Sequence, residues 1–247
     1  MTCLLADKFQ RYSTAQHSAC VFFESQMMNP LINRRDIGKL AASLLGGALG
    51  AQALVFSSAA LAADEAADAF IKRLSDEVMD AIKADKDIQA GNVTKLNALV
   101  DSKVMPFVNF RRMTASAVGP GWLKATPEQQ KMLQDEFKAL LLRIYAGALA
   151  QINDQTIALK PLRASPEDTE VVVRTEVRGK GEPIQLDYRL EKTPGQGSGW
   201  RIYNLNVMGV WLMETYRSQF SQEINAKGLD GLIATLKSRN QSLAKKS

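Results

Sequence analysis

Apolar residues recur at helical spacing through the first half of the chain beyond residue 63 and at a spacing of two through much of the second half. From Asp64 to about Asp87, Phe70, Ile71, Leu74, Val78, Ala81 and Ile82 mark one helix face. Gly91-Asn92 interrupts it. A second amphipathic stretch carries Leu96, Leu99, Val100 and Val104, is broken at Pro106, and resumes with Phe107, Phe110, Met113 and Val118. Gly119-Pro120-Gly121 predicts a loop. Thr126, Pro127 and Gln129 form a helix start, with a capping threonine, proline in the first turn and a reciprocal glutamine. The helix they open carries Leu133, Phe137, Leu140, Leu141, Ile144, Tyr145, Ala148, Leu149 and Ile152 on one wide apolar face.

After Asn153-Asp154 the pattern alternates. Ile157 and Leu159 belong to one predicted strand, and Val171, Val173, Thr175 and Val177 to a second. Ile184, Leu186, Tyr188 and Leu190 belong to a third, and Trp200 to about Met208 form a fourth. Short connections imply an antiparallel meander, one face apolar and the other charged. Val210 to Lys227 and Leu229 to about Leu236 predict two closing helices separated by Gly228, and Lys237 to Ser247 a frayed tail. The fold class is α+β: a four-stranded antiparallel sheet with amphipathic helices over its apolar face.

The amino-terminal region reads differently. Asn33-Arg34-Arg35-Asp36-Ile37-Gly38-Lys39 is basic, an Ala-, Leu- and Gly-rich run follows, and Ala60-Leu61-Ala62 is a small-x-small cleavage site. That order is a secretory signal over residues 28–62, with a membrane anchor as the competing reading. The arginine pair is similar to a twin-arginine motif. Residues 1–27 read as an upstream leader outside the natural product, with Met27 or Met28 as the natural start and a genuine, unusually long leader as the competing reading. Residues 63–247 form a single domain.

Cleavage after Ala62 changes the available chemistry. His17, Cys3 and Cys20 all precede it, so the remainder holds neither histidine nor cysteine. Disulfides, thiolate nucleophiles, Cys/His zinc sites and imidazole-based triads are excluded from it. The whole chain carries a formal charge of +5, of which +3 remains beyond Ala62, too mild and too evenly spread to indicate nucleic acid. Ser242-Leu243-Ala244-Lys245 matches a penicillin-binding pattern but lies in the terminal tail. Gly195, Gly197 and Gly199 fit a hairpin loop rather than a dinucleotide fingerprint. Arg111, Arg112, Arg143 and Arg163 could meet a phosphate or a partner, against the plainer reading of solvated surface.

Two stretches carry a family resemblance. The first is Phe110-Arg111-Arg112-Met113-Thr114-Ala115-Ser116-Ala117-Val118-Gly119, continued by Trp122-Leu123-Lys124-Ala125-Thr126-Pro127-Glu128-Gln129, Phe137 and Tyr145. The second is Trp200-Arg201-Ile202-Tyr203-Asn204-Leu205, with Gly209-Val210, Tyr216-Arg217 and Phe220. Together they resemble MlaC, the toluene-tolerance family of periplasmic phospholipid-binding proteins. Trp211 departs from it where a smaller residue is expected, and Asn204 stands where the family often has an acid.

The resemblance implies an NTF2-like fold with a curved sheet enclosing a lipid cavity, and residence in the periplasm. Phospholipid is then the bound ligand and no cofactor is needed. The implied partners are an outer-membrane lipoprotein–porin complex and an inner-membrane ABC transporter. The expected form is a monomeric shuttle that maintains outer-membrane lipid asymmetry, not an enzyme.

Alternation assigns the cavity wall. Val171, Val173, Ile184, Leu186, Tyr188, Tyr203 and Leu205 are expected to look inward from the sheet. Phe107, Phe110, Met113, Ile144, Tyr145, Leu149 and Met213 are expected to do so from the helices. The competing reading is an ordinary dry core. Two other functions remain open: an enzyme acting on a small apolar substrate through Asp187 or Tyr203, and a chaperone-like module holding a partner's apolar segment.

Overall fold

The computed structural model describes residues 65–245 with the exception of Pro166. The predicted leader and export signal lie outside the described residues.

Six α-helices and five strands follow one another among the described residues. Helix α1 (Ala67–Ala84) buries Phe70, Ile71, Leu74 and Ile82, the stripe read from the sequence. A single-turn α2 (Lys86–Gln89) follows, capped by the Asp85 carboxylate, and then α3 (Val93–Lys103), capped by Asn92. Pro106 sits in a 3-10 turn, Met105–Phe107, that separates α3 from α4 (Phe110–Val118). The predicted Gly119 loop is instead a 3-10 helix, Gly119–Lys124, because it seats Trp122 in the core. Helix α5 (Pro127–Leu149) opens with the full capping box. Thr126 accepts from the Gln129 N–H, and the Gln129 side chain accepts from the Thr126 N–H.

Strands β1 (Thr156–Leu159), β2 (Glu170–Arg178), β3 (Ile184–Lys192), β4 (Trp200–Val207) and β5 (Val210–Trp211) form one antiparallel meander in chain order. The fifth strand, absent from the sequence reading, is two residues long and turns back through Met208 and Gly209, both at positive φ. Helix α6 (Leu212–Ala244) breaks at Gly228, where φ is 72° and ψ −175°. It then continues through the segment expected to fray. Leu236 and Asn240 are buried, and Leu243 packs on the same core. The Asn240 amide donates to the Glu136 carbonyl at 2.9 Å and to its carboxylate at 2.7 Å. A polar residue in the buried stripe hid this last stretch from a hydrophobicity reading.

Helices α1, α4 and α6 cover one face of the sheet: α1 lies on β1 and β2, while α4 and α6 lie on β4. Helix α5 packs on α3, α4 and α6. Its Phe137 ring meets Tyr216 and Phe220 edge-on, with centroids 4.8 and 5.2 Å apart, and Phe110 at 5.9 Å. Such contacts add about 0.5–1.5 kcal/mol each beyond area burial. The fold is thus α+β, as the pattern of apolar positions indicates.

Candidate functional site

The inner sheet face is dry at one end and open at the other. Pairing places Val171 opposite Leu190, Val173 opposite Tyr188, Thr175 opposite Leu186 and Val177 opposite Ile184. Val171, Val173, Tyr188 and Leu190 are buried, with Trp200 and Ile202, against α1. Along the same face Leu186, Val177 and Val207 are half-buried, and Ile184 is 44% exposed. Met208 and Val210, at the β4–β5 turn, are 56% and 46% exposed. An apolar surface that gradually leaves the core has this appearance where a layered fold opens.

Helix α5 shows the same change along its length. Leu133, Phe137 and Leu140 are buried among the helices. Ile144 and Ala148 continue that angular position at one and two turns further on. Yet Ile144 is 47% exposed and Ala148 is exposed. On either side of them, Leu141 and Tyr145 pack on the α4–α6 core, whereas Ala146, Leu149 and Ile152 pack on α1–α3. The centre of the stripe therefore emerges between two clusters. Burial raises the Tyr145 phenol above its ordinary range.

The other helix-side residues are part of the packed interior. Met113 and Met213 are buried among the helices, with Phe110 half-buried against them. Phe107 packs at the α1–sheet layer, its ring 5.5 Å from Phe70. Leu205 touches both clusters and joins them. The structure therefore brings Ile144, Tyr145 and Leu149 to the emergent part of α5, and Ile184 and Leu186 to the open end of the sheet. Val171, Val173, Tyr188, Met113 and Met213 lie deeper. Val207, Met208 and Val210 belong with the open end and were missing from the expected wall. Alternation from Leu205 could have found Val207, but the β4–β5 turn carries no periodic signal.

Tyr203 is a correction. Pairing runs Arg189 with Asn204 and then Leu190 with Ile202, so Tyr203 is an extra residue in β4. This bulge puts Tyr203 on the outer face, against the alternation that grouped it with Leu205. There the Arg112 guanidinium lies 3.6 Å from its ring centroid, and its hydroxyl donates to Glu170 Oε2 at 2.7 Å. Trp211 also sits outside, its ring 3.9 Å beneath Arg189, so its bulk does not enter the apolar face.

Polar groups on the outer face are structurally occupied. Asp187 is buried and accepts from the Gln185 amide at 2.6 Å and the Thr175 N–H at 3.3 Å. Asn204 accepts from the Met213 N–H at 3.2 Å and donates to Glu214 at 2.8 Å, which fastens the first turn of α6 to β4. On the inner face, Thr175 donates its hydroxyl to the Leu186 carbonyl. The Tyr188 phenol, pushed up to about 12 by burial, has Ser75 Oγ at 3.5 Å as its polar neighbour among the described residues. These groups can hold structure and neutral polar contacts. No cluster of three or more acidic, histidine or cysteine side chains suited to a metal occurs among the described residues. No helix among them is long and apolar enough to cross a membrane.

Comparison with known proteins places this architecture. The chain is 26% identical to toluene tolerance protein Ttg2D of Pseudomonas putida over 62% of its own length and 71% of the relative's. It is 22% identical to the intermembrane phospholipid transport system binding protein MlaC of Haemophilus influenzae, over 67% of this chain and 78% of that one. A phospholipid-binding protein from Ralstonia solanacearum, solved in complex with a phospholipid, matches at a TM-score of 0.69 with 49% identity. That match covers 72% of this chain and 98% of the other. The MlaC protein family model matches residues 72–238, which include every helix and strand described above except the first residues of α1 and the last of α6. The chain belongs to the MlaC family.

Proposed function

We propose that this protein is a soluble phospholipid carrier whose ligand tails insert between the open end of the sheet and the emergent stripe of α5. The observation that carries the reading is the Ralstonia protein, whose bound phospholipid comes with 49% identity across nearly its whole length. The half-exposed residues Ile144, Ile184, Leu186 and Val210 suit that role, because they offer apolar surface at the margin of a packed core.

Energetics explains why a carrier must enclose its cargo. Each methylene withdrawn from water contributes about 0.8 kcal/mol, so one long acyl chain represents roughly 10 kcal/mol. Transfer then depends on relative affinity among donor, carrier and acceptor, and on opening of the seam rather than on bond-making. The role is binding, not catalysis, with phospholipid as ligand and no cofactor. The secretory signal expected over residues 28–62 supports a periplasmic location. Family membership supports shuttling between an outer-membrane lipoprotein–porin complex and an inner-membrane ABC transporter.

Native mass spectrometry of the protein purified gently from a bacterial host tests the reading. Phospholipid at near-unit stoichiometry is expected, on a chain that begins after Ala62 and fractionates with the periplasm. Folded protein recovered without lipid, or with a bound peptide in its place, overturns it.

A further inference from the structure

We infer that the outer face carries a second binding surface, one that receives an extended acidic segment of a protein partner as an added strand beside β2. The inference concerns the side of the sheet opposite the apolar seam and stands independently of lipid carriage.

Strand β1 is too short to cover β2. It pairs with Thr175–Arg178 only, and Lys160 N–H then donates to the Arg174 carbonyl at 2.9 Å. Glu170–Arg174 has no neighbouring strand on that side among the described residues. The direction of the free groups follows from two bonds. Lys192 N–H donates to the Thr169 carbonyl, so Thr169 faces β3, whereas Arg174 faces β1. Along an antiparallel strand the direction alternates, so the Val172 N–H and C=O point outward from the uncovered edge. An unpaired edge is a template for another strand.

The edge borders a groove of about 760 Å³ lined by Arg163, Arg174, Arg189, Glu170, Val172 and Tyr203, among others. Most charge there is already matched. Glu170 is held by Arg112 at 2.6 Å and by Tyr203, and Arg189 pairs with Glu214. Asp168 accepts from the Ser165 N–H at 2.8 Å. Arg163 and Arg174, both exposed, make no ion pair among the described residues. Two uncommitted guanidiniums beside an open edge favour an extended chain with carboxylates at alternate positions. Charged side chains also protect edges from self-pairing, so recognition must be separated from repulsion.

The test uses the full chain recovered from a bacterial host and a fluorescent peptide of alternating Glu and Val with blocked ends. Anisotropy is expected to show saturable binding that R163E/R174E weakens by about tenfold or more. A peptide of the same sequence, N-methylated on the backbone groups that would face β2, is expected to lose binding. Val172→Pro removes the outward N–H at an edge position where proline is tolerated. It is expected to abolish binding while circular dichroism and the amount of co-purified lipid stay unchanged. Hydrogen exchange should slow at the Val172 amide when peptide is added, giving a readout independent of the variants.

Equal binding of the N-methylated peptide overturns the proposal, as does binding unaffected by R163E/R174E or no binding at all. A concentration-dependent dimer abolished by Val172→Pro would assign the edge to a second copy and also overturn it. So would binding to phosphatidylglycerol vesicles that needs the arginines but survives Val172→Pro.

Discussion

Tyr203 donates its hydroxyl to Glu170 Oε2 across the outer sheet face at 2.7 Å, and Arg112 closes the pair from above. The hydrogen bond from Tyr203, and then Arg112, hold the Glu170 carboxyl below its ordinary value of 4.5. A depressed carboxyl contributes stability that is present above its unfolded pKa and lost as pH falls through its folded one. Glu170 is half-exposed, so the contribution is about 0.5 kcal/mol rather than the full shift. Glu170→Gln is expected to lower stability by that amount at neutral pH and to flatten the acid limb below pH 4.5. Urea titrations of both proteins across the acid range check this; an unchanged limb would show the triad to be ornamental.

The lipid reading separates residues that sequence alternation treats alike. Val173 is fully buried, and a charge there costs on the order of 3 kcal/mol in folding. Val173→Asp is expected to destabilise the fold by that amount, so any lipid loss it causes says nothing about the site. Leu186→Glu and Ile144→Glu fall on half-buried and 47% exposed positions. The Ile144 variant should cost less than about 0.5 kcal/mol as a helix-surface change, and both should cut co-purified phospholipid about tenfold by setting a charge against acyl chains. Lipid extraction with a thermal melt on each variant distinguishes the cases. Retained lipid in a folded Leu186→Glu protein removes the open end of the sheet from the binding site.

Much of this layout could be read along the chain. The cap at Thr126 and Gln129 announces α5, and the strict alternation from Val171 to Leu190 gives two strands with their inner face. Three features escaped, two because they break a period and one because it does not. The bulge at Tyr203 adds one residue, and a slip of one reverses every side chain that precedes it along β4 relative to simple alternation. Asn240 is buried by pairing with Glu136, a contact no hydrophobicity pattern contains. Ile144 belongs to an uninterrupted apolar stripe, and only the tertiary packing shows where that stripe leaves the core. At the site itself the sequence marks apolar positions, whereas the opening is set by which neighbours are missing.

Gly228 divides α6 at a backbone conformation, φ 72° and ψ −175°, open essentially to glycine. A Cβ added there meets nothing within 4 Å, so the penalty of substitution is conformational rather than steric. Gly228→Ala is expected to lose about 1–3 kcal/mol. Gly147, helical and equally unobstructed, supplies the contrast: Gly147→Ala should gain about 0.4–1 kcal/mol by restricting the unfolded chain. Opposite signs in chemical denaturation support the break as a feature required by the fold. Equal effects would mean that α6 straightens without cost.

Tyr188 gives an alkaline counterpart to Glu170. Its ring is buried between the dry and open ends of the inner face, and burial pushes its phenol up to about 12 from an ordinary 10. Tyr216, buried in the aromatic cluster, is likewise pushed up to about 12. An acid whose folded pKa is raised keeps its proton longer in the native state, so native protein binds more protons than unfolded protein above pH 10. The stability this supplies is complete below pH 10 and disappears as pH rises through about 12. Tyr188→Phe removes one of these titrations and, among the described residues, loses a 3.5 Å contact to Ser75. At neutral pH it is expected to cost less than about 1 kcal/mol, because a long contact contributes little and the ring's packing remains. In alkali the order should reverse, the variant holding its stability to higher pH than the parent. Stability measured by denaturant against pH, with ultraviolet titration of phenolate formation, follows both. A parent protein whose phenols all ionise near pH 10 while folded would place Tyr188 in contact with water and move the boundary of the opening inward.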